Sequence, residues 1–559
     1  MRINKNILFI ALLSSLAIIS CKKDLNVGNP NQPTIAVNVK TETGLLAFTT
    51  GAVYLNGIGN SNLNWLGNSY CSLPYGFSEL LGDMVSSEAA NQIVNIINIP
   101  DYYILDNGVK YMNDAPMRTV LRSNNNRPST AQGTNPFYYF WVSMYSLNNA
   151  CNTVLSKVDA VTYTGNADTK KKTITAFCYF WKGWAYANIG SQYYAGLITD
   201  GISSTNGNYK NHNEIIAESN ANFKKAVTIL AGITSGDADY TAALGKLIPS
   251  FCQVGNGGVP APDAWIRNIN TMLARNLLVN KLSPFVNSNP AATISGSSMS
   301  AMTTADWQSI LTLAGAGIKK GDVVFTARSA SVNGFMGATN GSVAAETSGP
   351  SSPATFKVGE RFIQNFKAND NRKLNNFGID PYGMVATFST RYKQLDGGSG
   401  LPGVYVYGTK TVGAYEAFLA GSFEENTLML AEANIRTGAI ETGLGYIDVV
   451  RKYMGAFGAG LLPVQGSGLN LTQALTELTM ERRVALVYRG LSYFDSRRFG
   501  WIYDISKGGG AFNQTILDGV KVNTKATINY NFLDYWDVPA DEFVLNPALA
   551  GSADIKNPN

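Results

Sequence analysis

The chain has 559 residues, a formal net charge of +5 and 15% charged residues. So small a charge on so long a chain argues against electrostatic binding to nucleic acid. Aromatic residues make up 11% of the chain, which suits a protein that handles neutral, polar ligands. The length could bury several cores, but helical-repeat proteins also reach it as one body.

Histidine and cysteine usage excludes the common metal and redox sites. The chain has one histidine, His212, in a polar run, so we expect it at the surface and exclude His-clustered metal sites. No two cysteines have CxxC spacing, which excludes zinc and thioredoxin-like motifs. Cys71 and Cys252 lie in loop-like sequence and could form a disulfide, a question that the sequence leaves open. We expect neither a metal nor another cofactor.

Residues 1–20 have the features of a signal peptide. After a positively charged start, the apolar run from Ile7 to Ile19 is too short to span a bilayer comfortably. Ser20 and Cys21 follow this run, and the whole pattern resembles a bacterial lipobox. The resemblance implies cleavage before Cys21 and acylation of this cysteine. Several acyl chains anchor a protein stably where one does not, so residues 21–40 are predicted to be a lipidated, flexible tether. The alternative is an ordinary secretory signal with an incidental cysteine.

Aromatic residues on irregular sequence follow the predicted tether. The first predicted helix covers residues 44–60, and the sequence after it carries Trp65, Tyr70 and Tyr75. Residues 99–136 are predicted to be a long irregular loop that contains Tyr102 and Tyr103. Long loops on a rigid frame often carry function.

Helical periodicity marks two halves of the chain, about 144–282 and about 416–500. In the first half, Tyr179, Gly183 and Tyr186 have the large-small-large spacing of a tetratricopeptide-repeat helix. The second half begins a similar helical pair after Glu416. Both patterns predict paired helices that stack on each other.

A loop-rich region lies between these halves, at about 284–413, and is dense in Gly, Ser, Thr and Asn. Its apolar alternations VVFTAR and VYVYG predict short edge strands. Trp307 follows a Ser/Thr/Met-rich stretch, where Thr304 or Asp306 could cap a helix. A tryptophan at a helix start can present its ring outward to a ligand, and Phe335 is a further candidate in this region.

The stretch from Glu481 to Trp501 is predicted to be one helix, because Val484, Val487 and Leu491 recur on one face. Its charges include five arginines and no lysine, and arginine suits fixed, partly buried pairs with carboxylates. Gly490 inside it indicates close packing by another backbone. The sequence therefore predicts a structural ion-pair network of Glu481, Arg482, Arg483, Asp495, Arg497 and Arg498.

The same stretch resembles a known family signature. Glu481-Arg482-Arg483, Gly490, Phe494-Asp495 and Arg497-Arg498-Phe499-Gly500 are similar to the C-terminal motif of the SusD/RagB family of surface lipoproteins, which bind nutrients for outer-membrane transporters. Asp83, the Asn-Asp-x-Arg turn at residues 369–372 and Val538-Pro539 match the family in the same order. The resemblance implies a mostly α fold of tetratricopeptide-like helical repeats with a loop-rich, ligand-binding middle region, formed by residues 41–559.

The resemblance also implies a function. It predicts an outer-membrane lipoprotein facing the cell exterior that binds oligo- or polysaccharide and delivers it to a SusC-like TonB-dependent transporter. A peptide-binding, RagB-like protein of the same architecture is the alternative. A glycan-active enzyme is a remote one, because no segment places two carboxylates in a supporting motif, so we expect no catalytic residue. Sugars stack on aromatic rings, and the candidates, each also compatible with a core position, are Trp65, Tyr70, Tyr75, Tyr102, Tyr103, Trp307 and Phe335.

Overall fold

The computed structural model describes residues 39–55, 74–87, 95–126, 136–202, 206–282, 301–328, 356–380, 388, 390–409, 411–458, 460–519 and 521–558. Most of its regular structure is helical. The helices are α1 (Glu42–Thr49), α2 (Pro74–Leu81), α3 (Met117–Asn125), α4 (Pro136–Leu155), α5 (Ala167–Gln192), α6 (His212–Leu230), α7 (Ala238–Leu247), α8 (Pro262–Asn280), α9 (Thr304–Gly315), α10 (Glu360–Ile363), α11 (Asn371–Asn376), α12 (Phe423–Arg436), α13 (Ile440–Tyr453), α14 (Leu471–Ala485), α15 (Ser492–Arg498) and α16 (Ala540–Leu545). The strands are β1 (Val85–Ser87), β2 (Tyr102–Ile104), β3 (Lys110–Met112), β4 (Ala195–Gly196), β5 (Lys210–Asn211), β6 (Thr326–Ala327), β7 (Phe356–Val358), β8 (Phe377–Ile379), β9 (Tyr392–Gln394), β10 (Ala417–Phe418), β11 (Ala511–Asp518) and β12 (Lys521–Asn529).

Helices α5 and α6 form the first packed pair. Helix α5 begins after Asn166, whose side chain accepts a hydrogen bond from the amide of Thr169 at 3.2 Å. At the crossing of the two helices, a Cβ on Gly183 would lie 2.7 Å from the ring of Phe223. The Ser219 hydroxyl of α6 donates to the Gly183 carbonyl at 2.6 Å. The small residue of the large-small-large pattern is therefore required by the close approach of the two helices.

Helices α12 and α13 form a second pair of the same kind. Gly438, just after α12, has a φ of 93°, a left-handed conformation that glycine adopts without steric cost at a helix end. A Cβ on Gly443 of α13 would lie 2.6 Å from the carbonyl oxygen of Ala431 on α12. Here too a glycine lets the two helix backbones approach closely.

The arginine-rich stretch is two short helices, and the prediction of one helix over residues 481–501 is wrong. Helix α14 ends at Ala485 and α15 begins at Ser492. Between them Tyr488 and Gly490 have φ angles of 62° and 71°, a left-handed backbone that a right-handed helix does not contain. Gly490 therefore serves a turn, and its amide donates to Glu79 Oε1 at 3.2 Å.

A four-stranded antiparallel sheet, in the order β11-β12-β2-β3, replaces part of the predicted loop at residues 99–136. Strands β2 and β3 form a hairpin whose turn contains Gly108, with a φ of 83°. The amide of Val109 donates to Asn107 Oδ1 at 3.1 Å and tightens the turn. Strand β3 lies at the edge of the sheet and is exposed along its length.

One of the two edge strands predicted in the middle region is present. Residues 323–328 contain β6, which pairs with β10, whereas residues 404–408 form no strand. The amide of Tyr405 donates to the Met454 carbonyl at 3.0 Å, and the amide of Tyr407 donates to Asn376 Oδ1 at 2.9 Å. These amides are bound by scattered groups of other segments, so no strand ladder forms.

His212 and Cys252 lie in the interior. His212 is 3% exposed and its ring stacks on that of Tyr535 at 4.0 Å, so the expectation of a surface histidine is wrong. The residue begins α6, and the Tyr535 ring covers its imidazole. Cys252 is 0% exposed. Its suggested disulfide partner, Cys71, lies outside the described residues.

Candidate functional site

The charged residues of α14 and α15 join a buried network with α12. Asp495 accepts hydrogen bonds from Arg482 Nε at 2.9 Å and from Arg498 Nε at 2.8 Å. The two Nη atoms of Arg498 each lie 2.7 Å from an oxygen of Glu432, and both side chains are 0% exposed. Burial opposes ionisation of Glu432, but the charges of Arg498 and Arg436 outweigh it and lower the pKa of Glu432 to about 2. A network enclosed this completely connects helices and is out of reach of a ligand.

Glu481 extends a second buried cluster into the middle region. Its carboxylate oxygens lie 2.6 Å and 3.1 Å from the Nη atoms of Arg372. Arg451 Nε of α13 donates to the same carboxylate at 2.9 Å. Arg372 also contacts Asp370 at 2.8 Å, so the Asn-Asp-x-Arg turn is held on α14 by charge pairs.

Arg497 binds backbone carbonyls, which differs from the predicted pairing with a carboxylate. Its Nη1 donates to the carbonyls of Ser191 and Asp534 at 2.8 Å each, and its Nη2 donates to Val279 at 3.0 Å. Ser191 and Val279 lie in the last turns of α5 and α8, where carbonyls have no partner inside the helix. Arg497 therefore caps two helix ends at once, and its positive charge suits their C-terminal dipoles.

Arg483 departs from the prediction in the same way, since it donates to the carbonyls of Gly82 and Asp83 at 3.1 and 3.3 Å. The Asp83 carboxylate is held by Arg361, whose Nη2 lies 2.8 Å from Oδ1, and by the Tyr530 hydroxyl. Asp83 itself has a φ of 55°. These contacts hold the segment after α2 against α14. Asp83, the aspartate that matches the family pattern, therefore has a structural role.

The ring of Trp307 lies in a core, and the expectation that it points outward is wrong. Its side chain is 5% exposed and packs in an apolar cluster with residues of α8 and α12. The guanidinium of Arg436 lies 5.3 Å from the ring centroid. The helix cap is Thr303, which bonds reciprocally with Asp306 in a capping box. Trp307 is thus required for packing α9 on α12.

Several predicted residues fall outside what the structure describes. Trp65, Tyr70, Phe335 and the lipidation residue Cys21 belong to segments that are not described. Tyr75 lies in α2, and nothing further is described of its side chain.

Tyr102 and Tyr103 lie on opposite faces of the β2–β3 hairpin, because successive side chains of a strand alternate. Lys110 Nζ lies 3.6 Å from the centroid of the Tyr102 ring and covers it. Burial, with the nearby carboxylates of Asp504 and Asp101, raises the pKa of Tyr102, so its hydroxyl stays neutral. The two tyrosines therefore do not form one continuous surface.

Tyr103 belongs to a row of three aromatic rings. It pairs directly with Tyr111 across the hairpin, and the two rings are nearly parallel with centroids 5.2 Å apart. On its other side, the Phe388 centroid lies 5.5 Å away, and Phe388 rests on the guanidinium of Arg361 at 4.2 Å. Tyr111 is 40% exposed, and its hydroxyl has no hydrogen-bond partner among the described residues. We call Tyr111, Tyr103 and Phe388 the aromatic row.

Sequence reasoning did not select Tyr111 or Phe388 as site residues. The signal for Tyr111 was present, because Asn107-Gly108 between two apolar segments is a strong hairpin pattern. A hairpin there places Tyr111 opposite Tyr103. Phe388 belongs to a segment that is distant in the sequence, and no local sequence pattern predicts its contact with Tyr103.

No group of side chains suited to hold a metal ion occurs in the described ranges. The search for long apolar helices over the same ranges found none able to cross a membrane.

Neither a scan against protein-family models nor a search of curated proteins found a match. Solved structures match over almost the whole chain. A SusD superfamily protein from Bacteroides fragilis is 14% identical with a TM-score of 0.54, over 92% of this chain and 100% of that one. A Bacteroides vulgatus protein described as a candidate sugar-binding protein is 14% identical with a TM-score of 0.53, over 92% and 100%. A SusD homologue from Bacteroides thetaiotaomicron is 14% identical with a TM-score of 0.53, over 91% and 97%. This similarity confirms the predicted fold class, mostly α with tetratricopeptide-like helical repeats.

Proposed function

We propose that this chain, which has the SusD-like fold, is a cell-surface lipoprotein that binds carbohydrate and delivers it to a SusC-like TonB-dependent transporter. Its lipobox-like Cys21 supports the anchored location, and the sugar-binding description of one structural neighbour supports the ligand class. In this proposal the protein is not catalytic, since its role is to hold the glycan at the outer membrane, facing the cell exterior.

The observation that carries the proposal is the aromatic row. Sugars present apolar CH faces that stack on aromatic rings, and such contacts need no charge. The Tyr111 ring is 40% exposed at the sheet edge and is held parallel to Tyr103 beneath it, so its orientation is fixed before a ligand arrives. The Tyr111 hydroxyl adds a hydrogen-bonding group beside the exposed ring. A ring that is both exposed and held in place loses little conformational entropy on binding.

We expect Tyr111→Ala to weaken glycan binding about tenfold, because the variant loses the apolar area that the ring buries together with a stacking contribution of about 0.5–1.5 kcal/mol. The melting temperature should stay close to that of the wild type, since Tyr111 lies on an exposed edge strand. Affinity electrophoresis in gels containing neutral polysaccharides measures the first effect, and a thermal melt measures the second.

Met112→Ala is the matched control for this test. Met112 is 67% exposed and adjoins Tyr111 on the same strand, but its side chain lies on the opposite face. It should leave glycan retardation unchanged, and Tyr111→Phe should keep most of the affinity because the ring remains. Equal retardation of Tyr111→Ala and the wild type would remove the aromatic row from the site. Binding of peptides with no binding of glycans would favour the peptide alternative.

Anchoring is tested separately through Cys21. We expect Cys21→Ala to move the protein from the membrane fraction to the soluble fraction, because the acceptor of the acyl chains is lost. Fractionation of cells that express each form, with palmitate labelling, measures this. A Cys21→Ala protein that stays in the membrane fraction and still takes up the label contradicts the lipobox interpretation.

A further inference from the structure

A groove of about 370 Å³ lies between the outer side of α14 and strand β11. Its volume is near the lower end of the range for small-ligand sites, about 300–1,000 Å³. The groove residues used below are Trp501, Phe512, Gln514, Asn365, Thr476 and Arg436.

The groove has an aromatic wall and an exposed ring. Trp501 is stacked on Phe499 with centroids 5.7 Å apart, and the Arg483 guanidinium lies 5.2 Å from the indole centroid. Phe499 is buried at 8% exposure, so it holds the indole in one position. Phe512 on β11 is 54% exposed, which is unusual for a phenylalanine and leaves its ring open to a ligand.

Side-chain amides supply hydrogen-bonding groups beside the rings. The Gln514 amide nitrogen donates to the Phe512 carbonyl at 2.7 Å, and the Asn365 amide nitrogen donates to the Phe362 carbonyl at 3.3 Å. These bonds fix both amides, and their carbonyl oxygens have no partner within the described part of the chain. Two fixed acceptors next to an exposed ring match the alternation of hydroxyls and CH faces on a sugar.

The charges of the groove favour a neutral ligand. Arg436 is its one charged lining residue among those described, and Arg436 Nε already donates to Glu432 Oε1 at 3.1 Å. No carboxylate lines the described part of the groove. A charged peptide or an anion would find no free counter-charge, whereas a neutral saccharide needs none.

We propose that this groove is a second saccharide-binding subsite, which rests on the proposed carbohydrate-binding function. Ala511 is in register across the sheet with Ile528, Tyr103 and Tyr111, so the next residue, Phe512, faces the opposite side of the sheet and a saccharide that contacts both Phe512 and Tyr111 must pass around the sheet. Strands β11 and β3 are the two edges of this sheet, three strand spacings or about 14 Å apart. A longer oligosaccharide that contacts both edges gains affinity over a short one, because its second contact is intramolecular.

The test compares neutral oligosaccharides of increasing length, all from a glycan that retards the wild type, by isothermal titration calorimetry. Phe512→Ala removes the exposed ring, and Thr476→Trp fills the groove from an exposed position of α14. Both variants should bind the shortest oligosaccharide like the wild type and lose roughly tenfold affinity for the longest. Leu545→Ala, an 85% exposed residue on α16, is the control and should match the wild type at every length.

Three outcomes separate this inference from the function on which it rests. Loss of the length-dependent gain in both groove variants, with unchanged melting temperatures, supports the second subsite. Wild-type affinity of both variants for the longest oligosaccharide overturns it and leaves the aromatic row as the proposed site. A wild-type protein that binds no neutral glycan overturns the proposed function, and the second subsite with it.

Discussion

Replacing Arg498 with alanine is expected to lower the free energy of unfolding by about 3–5 kcal/mol. Arg498 is 0% exposed, and its guanidinium binds Glu432 through two hydrogen bonds and Asp495 through a third. Without it, Glu432 keeps a charge in a position with no access to water, with Arg436 as its ion-pair partner and Arg482 as a further nearby charge. Removing one partner of a buried pair costs far more than the pair contributes, because the remaining charge has lost both solvent and partner. Urea denaturation followed by circular dichroism measures the change.

Two further variants show whether the buried charge is the cause. Lys172→Ala removes an exposed i,i+4 pair with Asp168, whose side chains are 40% and 72% exposed, and should change stability by less than about 1 kcal/mol. Arg498→Met combined with Glu432→Gln removes both charges and should recover part of the stability lost in Arg498→Ala. If Arg498→Ala unfolds at the same urea concentration as Lys172→Ala, the network does not stabilise the fold.

The helical pairs could be predicted from the sequence because their patterns are local. Tyr179, Gly183 and Tyr186 lie within two turns of one helix, so their spacing alone indicates a face that a partner helix must meet. The structure supplies the reason, since the Phe223 ring leaves no room for a Cβ on Gly183. The arginine-rich stretch shows the limit of this reasoning. Its apolar spacing continues through a turn in which Tyr488 and Gly490 have positive φ angles. The spacing of apolar residues carries no information about the sign of φ, so this turn could not be predicted from it.

The sheet was missed although turn signals marked both of its hairpins. Asn107-Gly108 and Asp518-Gly519 each lie between short apolar segments, and such dipeptides are typical of tight hairpin turns. The first lies within residues 99–136, for which the sequence predicts a long irregular loop. The strands around it are only three residues long, so periodicity gives a weak signal and the turn is the stronger guide.

Burial that depends on distant segments could not be predicted. Trp307 begins a helix next to polar loop sequence, which suggested an exposed ring. Its neighbours Leu278 and Met429 come from α8 and α12, and their approach closes over the ring. Arg497 presents the same difficulty, because the carbonyls that it caps belong to the ends of α5 and α8. In both cases the contacting residues belong to helices that are distant in the sequence, so the residues adjacent to Trp307 or Arg497 give no indication of the contact.

Glu79 is expected to make the free energy of unfolding decrease as the pH rises, because its pKa is raised in the folded protein. Glu432, whose pKa is lowered, has the opposite effect. Glu79 is 0% exposed, and burial raises its pKa from 4.5 to about 8. Hydrogen bonds from the backbone of Tyr488 and Gly490 and the charge of Arg483 only partly offset this effect. The folded protein therefore keeps a proton that the unfolded chain releases. The stability is fully present below pH 4.5 and decreases as the pH rises towards 8, by about 1.4 kcal/mol per pH unit.

Glu79→Gln should consequently stabilise the protein by about 3 kcal/mol at neutral pH and change it little below pH 4.5. Glutamine keeps the carbonyl oxygen that accepts from the Gly490 amide at 3.2 Å, and it cannot ionise in the unfolded chain. Urea denaturation of both proteins at several pH values measures the difference. Asp168→Asn, a substitution at an exposed carboxylate, is the control and should follow the wild type throughout. A Glu79→Gln protein with the wild-type pH dependence would mean that Glu79 is ionised in the folded state, paired with Arg483 across the turn between α14 and α15.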